Sequence, residues 1–259
     1  MQNAFGETLK QWRNQRRISQ LDLGLAANVS ARHISFLETG RSRPSRAMVR
    51  LLCDSLDLPF AARNAFMTSA GYAPIYERRD LDADDMVHIR AAVDWTLERH
   101  SPFPAMALNR HWHIVRANEP AGLLLRGVGL SEGDSLLAAI LAKDRMVKVL
   151  ENWQEIVAHM LVRLRTESAH LGGDPVLDDA IKALSTDVDA FAMPNYGSPL
   201  PAIVPARYRA GDTLLSLFST IAQFGSAEDI ALSELKIELM FPADEMTRDI
   251  LLGMSEQSQ

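Results

Sequence analysis

The chain has 259 residues, 47% hydrophobic and 23% charged, which is enough apolar material for packed cores and, against about 150 residues per domain, argues for two domains. No run reaches the roughly 18 apolar residues of a spanning helix, and the opening MQNAFGETLKQW lacks the apolar stretch of a signal peptide, so a cytoplasmic protein with no membrane partner is expected. The single cysteine, Cys53, excludes an internal disulfide and a cysteine-based zinc site, and the net charge of -6, taken over the whole chain, disfavours a nucleic-acid partner.

The charge is unevenly divided. Residues 1–80 carry 12 Lys+Arg and 7 Asp+Glu, a balance of +5, whereas residues 81–259 carry 15 and 26, a balance of -11. This pattern suits a basic module facing phosphate joined to an acidic one that avoids it.

In chain order, helix signals are dense as far as residue 70, where Ala70-Gly71-Tyr72-Ala73-Pro74 supplies a stop. The informative stretch runs from Gln20 to Gly40. Two short helices can cross at a tight turn only if the buried positions are apolar, the crossing residue is small and the turn accepts positive φ. Leu23, Ala27, Val29, Ile34 and Leu37 meet the first demand, Gly24 the second and Asn28 the third. Ser30 suits the N-cap of the second helix and Gly40 its end. Arg41, Ser42, Arg43, Ser45 and Arg46 then place positive charge and hydroxyls where a phosphate backbone would pass.

At these residues the sequence resembles the Xre or phage-repressor type of helix-turn-helix, which implies an all-α five-helix DNA-binding domain over roughly Phe5 to Ala70. The flanking Arg13 and Glu38 match that family's structural ion pair, and Asn28 stands where Gly is commonest. The resemblance makes Gln20 a phosphate contact and sends the third helix into the major groove, with Ser30, Ala31, Arg32, Ser35 and Phe36 facing the bases and His33 at the edge. Arg32 is suited to a bidentate contact with guanine, and Ala31 and Phe36 to thymine methyls. Phe36 is also open to a core reading.

Glu77 to Asp85 is mostly charged and reads as a linker or an exposed helix start, giving residues 1–75 as the DNA-binding domain, 76–85 as linker and 86–259 as a second domain. There, Met86 to Arg99 predicts a helix; Pro104 to Leu108 and Trp112 to Ala117 predict a hairpin about Asn109-Arg110-His111; and Asn118 to Arg126 predicts another helix. Asp144 to His170 repeats apolar residues at three and four spacing and predicts one long amphipathic helix, followed by a helix from Pro175 to Phe191. Ile203 to Ala210, Thr213 to Phe224 and Leu235 to Phe241 predict strands, with Gly211-Asp212 as a turn, and Asp244 to Leu252 a closing helix. An α+β domain with an antiparallel sheet is expected.

Ser35 to Arg46 and Ala70 to Pro74, with Arg110 to Asn118, Phe218 to Gly225 and Phe241 to Glu245, resemble the MmyB-like regulators over nearly the whole chain. The resemblance implies a PAS-like domain, a sheet with helices over one face, that senses a small apolar molecule such as a fatty acid. Alternation in the last strands puts Leu235, Ile237, Leu239 and Phe241 on one face and Lys236 and Glu238 on the other, read as apolar and wet. The expected pocket residues are Leu108, Ile114, Trp153, Met160, Leu164, Phe218, Phe224 and Leu239; the alternative is a dry core in a constitutive dimerisation or docking module.

His111-x-His113 lacks a Cys or carboxylate to complete a metal shell, and no Walker A loop, Rossmann fingerprint, nucleophile elbow or HExxH motif is present. The expectation is no enzyme, metal or resident cofactor. A homodimer on double-stranded DNA is expected, since one helix-turn-helix reads too few base pairs and two copies match a pseudo-palindromic operator.

Overall fold

The computed structural model describes residues 4–186, 203–211, 213–225 and 227–256. The described residues fall into two compact units: residues 4–78 with 167–174 and 228–230, and the remaining described residues. Phe191 and Asp212, on which a helix end and a turn were expected, lie outside the described residues.

The N-terminal part consists of α1 (Ala4–Gln15), α2 (Gln20–Ala26), α3 (Ala31–Glu38), α4 (Arg46–Ser55) and α5 (Phe60–Ser69). Serine starts three of them: the hydroxyls of Ser19, Ser30 and Ser45 accept from the amides of Asp22, His33 and Met48, satisfying donors that a helix start leaves open. At α2 the cap is reciprocal, because Asp22 accepts from the Ser19 amide. Leu23, Ala27, Ile34 and Leu37 are fully buried in one core with Leu9, Leu52 and Phe66, while Val29 packs half-buried against it.

The rest of the chain forms a short 3-10 turn (Asp84–Met86), α6 (Val87–Arg99), β1 (Ala105–Leu108), β2 (Ile114–Ala117), α7 (Glu119–Gly127), α8 (Leu136–Leu141), α9 (Lys143–Val149), α10 (Trp153–Leu171), α11 (Pro175–Ser185), β3 (Ala206–Ala210), β4 (Thr213–Ala222), α12 (Ile230–Ser233), β5 (Lys236–Pro242) and α13 (Glu245–Glu256). The five strands form one antiparallel sheet in the order β2-β1-β5-β4-β3, the α+β arrangement expected. Asn118 pins its start: the side-chain oxygen accepts from the Ala105 and Ala121 amides, and the amide group donates to the Leu97 and Phe103 carbonyls, so α6, β1 and α7 meet on one buried, fully satisfied side chain.

Four features depart from the sequence reading. The helix expected from Asp144 to His170 is interrupted at Leu150 to Asn152. Leu150 is extended and bridges Tyr208, the Glu151 amide donates to the Arg207 carbonyl, and Asn152 accepts from the Arg207 amide and donates to the Pro205 carbonyl. These bonds to β3 replace the helical ones. Second, β2 begins at Ile114, since Trp112 turns the chain at φ 64° and is almost fully buried. Third, α8 is an apolar run, Leu136 to Leu141, too short for periodicity to reveal; Ser135 caps it. Fourth, apolar packing covers both faces of the sheet. On one, Val93 and Leu97 of α6 pack with Ala105, Ala107 and Ile237; the other borders the cavity described below.

The other outer strand is also occupied: His113 bridges Ser135, and the Ile114 amide donates to the Asp134 carbonyl at 2.9 Å.

Candidate functional site

The helix-turn-helix is built by close approach. Gly24 faces the turn: a Cβ there would lie 2.8 Å from the Val29 carbonyl oxygen and 3.1 Å from the Ala31 nitrogen, both backbone atoms. Asn28 takes φ 50°, and the Val29 amide then donates to the Gly24 carbonyl at 2.8 Å, closing the turn. Arg13 Nε donates to Glu38 Oε1 at 2.6 Å, Arg13 Nη2 to Oε2 at 3.2 Å and Arg13 Nη1 to the Ile18 carbonyl at 2.8 Å.

On α3, Ile34, Leu37 and Glu38 point inward. The opposite side carries Arg32, exposed, with Ser35 and Phe36 half-buried; Ser30 is exposed at the cap, and Ala31 and His33 are half-buried. Phe36 is thus outside the core. Its ring lies 5.2 Å from the Arg32 guanidinium carbon and 5.9 Å from that of Arg41, a plate holding two cations at one end of this outward side of α3. Arg41, Arg43, Ser45 and Arg46 are all exposed on the following segment. Gln20, expected at phosphate, is half-buried and donates from its amide nitrogen to Glu38 Oε2 at 2.8 Å, so that donor is already engaged.

In the sheet domain a cavity of about 220 Å³ lies between the sheet and α7, α8, α9 and α10. Leu125, Ile140, Met146, Ile156 and Met160 supply much of its apolar wall, and Met106, Leu217 and Met240 wall it from the strands. Among these, His159, Arg163, Tyr208, Ser219 and Glu238 form a polar group. Burial, and then the neighbouring Glu238 charge, push the Tyr208 phenol well above its ordinary range, so it remains protonated. No group of three or more His, Cys, Asp or Glu suited to a metal occurs among the described residues; Asn109 accepts from the amides of His111 and His113 in a turn, leaving His111 half-buried and His113 exposed.

Of the pocket residues expected from sequence, Met160 stands on the wall; Phe218 borders the cavity, but it pairs with Phe241 and stacks its ring there at 5.6 Å, on the opposite face of the sheet. Leu108, Ile114, Trp153 and Leu164 are buried but contribute no part of it. Phe224 and Leu239 belong to the opposite face, packed against the cluster of Val93, Leu97 and Ile237. The reason is parity: Leu239 pairs with Ala105, whereas Glu238 pairs with Met106, and the second pair faces the cavity. The strand face read as wet is therefore the one turned inward. Trp112, Arg163, Ser219 and Glu238 were missed; two charged residues, Lys236 and Glu238, in the alternation of an otherwise apolar strand were the available signal.

Among the described residues no helix is long and apolar enough to cross a membrane. No curated protein matches the chain. Two family models do: a helix-turn-helix domain over residues 4–66, and an MmyB-like transcription regulator ligand binding domain over residues 89–252. With the second match spanning more than half of its length, the chain belongs to the MmyB-like transcription regulators, with a DNA-binding helix-turn-helix domain ahead of a ligand-binding domain.

Proposed function

We propose that the protein is a cytoplasmic, non-enzymatic transcription regulator that binds a pseudo-palindromic operator as a homodimer and changes its operator affinity when its C-terminal domain takes up a small, largely apolar ligand of the fatty-acyl class. In this reading residues 1–75 read DNA, 76–85 link and 86–259 sense. Arg32 with Ala31, Ser35 and Phe36 specifies bases, while Arg41, Arg43, Ser45 and Arg46 position the phosphate backbone. The observation that carries it is the pairing of an exposed cationic surface on α3 with an apolar-walled cavity of about 220 Å³ in the domain matched as ligand-binding.

The test is operator selection from random duplexes with the purified chain, followed by titration of fatty-acyl compounds into the protein–operator complex. A selected pseudo-palindrome whose affinity shifts fivefold or more on titration is expected, the range of ordinary allosteric coupling. A domain that binds nothing while the chain still dimerises on DNA would sink the sensing half and favour a docking module.

A further inference from the structure

The polar side of the cavity says more about the ligand than its apolar walls. Glu238 is 7% exposed, and in the strand register it sits opposite Met106 on β1 and Ile221 on β4. A carboxylate so far from water needs partners for both oxygens. Oε1 accepts from the Ser219 hydroxyl at 2.6 Å and has Arg163 Nη1 at 3.8 Å. Oε2 is buried and has no hydrogen-bond partner. Beside it, the Arg163 guanidinium carbon and Lys236 Nζ lie 4.1 and 4.4 Å from the Trp112 ring centroid, so the charges of this corner are held in place by the fold.

Ligand chemistry follows from the unanswered acceptor. A carboxylate head would bring a second anion next to Glu238 and still leave Oε2 unanswered. A head with an N–H or O–H completes the carboxylate, and a hydrogen bond to a charged group is among the stronger ones. We propose that the ligand is an acyl- or alkyl-chain compound with a neutral, hydrogen-bond-donating head, a carboxamide or hydroxyl, held by the Glu238 carboxylate while the chain lies along Leu125, Ile140, Met146 and Met160. This rests on the reading of the cavity as the ligand site, and narrows the fatty-acyl class given there to its donor-headed members.

Calorimetric titration of the full chain with decanamide, decanol, sodium decanoate and methyl decanoate tests it. Decanamide or decanol should bind about tenfold more tightly than methyl decanoate, which has the same chain and no donor, and more tightly than decanoate. In Glu238→Leu the preference over the ester should shrink to about twofold. Glu238→Gln, which preserves the side chain's shape, should bind decanoate about tenfold better than the native chain does. Decanoate binding best to the native chain, or a donor preference unchanged in both variants, overturns the proposal and leaves the cavity as a ligand site. Binding of none of the four overturns the ligand-site reading itself.

Discussion

Arg13 and Glu38 meet in a forked ion pair that ties the first helix of the DNA-binding domain to the end of the third, with side chains only 11% and 3% exposed. Removing one partner of such a pair strands the other charge away from water. Arg13→Ala should therefore lower the unfolding free energy of this domain by about 3 kcal/mol, read from urea denaturation. Arg13→Lys should recover only part of it, because an ammonium cannot make the fork and also reach the Ile18 carbonyl.

Gly24 and Asn28 are constrained differently. At Gly24 the obstacle is backbone that cannot move aside, so Gly24→Val should cost about 2 kcal/mol or more, by thermal unfolding, and abolish operator binding. At Asn28 the constraint is only the sign of φ. Asn28→Gly should leave stability equal or higher, and Asn28→Val should lower it by about 1–2 kcal/mol.

Base reading and phosphate contact separate by salt and sequence. Arg32→Ala should weaken the selected operator by about 1–3 kcal/mol while leaving random DNA nearly unchanged. Arg41→Ala should weaken both alike and reduce the salt slope by about one unit. Gel-shift titrations at several salt concentrations distinguish these, and an equal loss on both DNAs for Arg32→Ala would make it a phosphate contact.

Burial in the helical core pushes the Cys53 thiol from 9.0 up to about 12, with the Arg63 charge opposing the rise. Below about pH 9 folded and unfolded chains both keep this proton, and the group adds no slope. Between pH 9 and 12 the unfolded chain loses the proton the folded one retains, so stability should fall as pH rises. Cys53→Ala should flatten that alkaline slope, and iodoacetamide should label the native thiol only after denaturant is added.

How much was legible depended on the range of the determining interactions. The helix-turn-helix was readable because its constraints are local: a small residue, a turn residue and a serine cap within about a dozen positions, all acting between adjacent helices. The break before α10 was not, since Asn152 answers to Pro205 and Arg207, far along the chain, and nothing beside it in sequence signals that. The sheet was legible as strands, but its polar alternation was assigned to solvent. Lys236 and Glu238 are buried because helices lie over that face as well, which strand periodicity alone does not disclose.

The segments that lie along β2 and β3 have a further consequence. A sheet normally ends in a row of open amides and carbonyls that invites a strand from another molecule. Here the chain covers part of each rim itself, through Asp134–Ser135 on one side and Leu150–Asn152 on the other. Where these segments lie, the domain is thereby guarded against edge-to-edge growth into fibres.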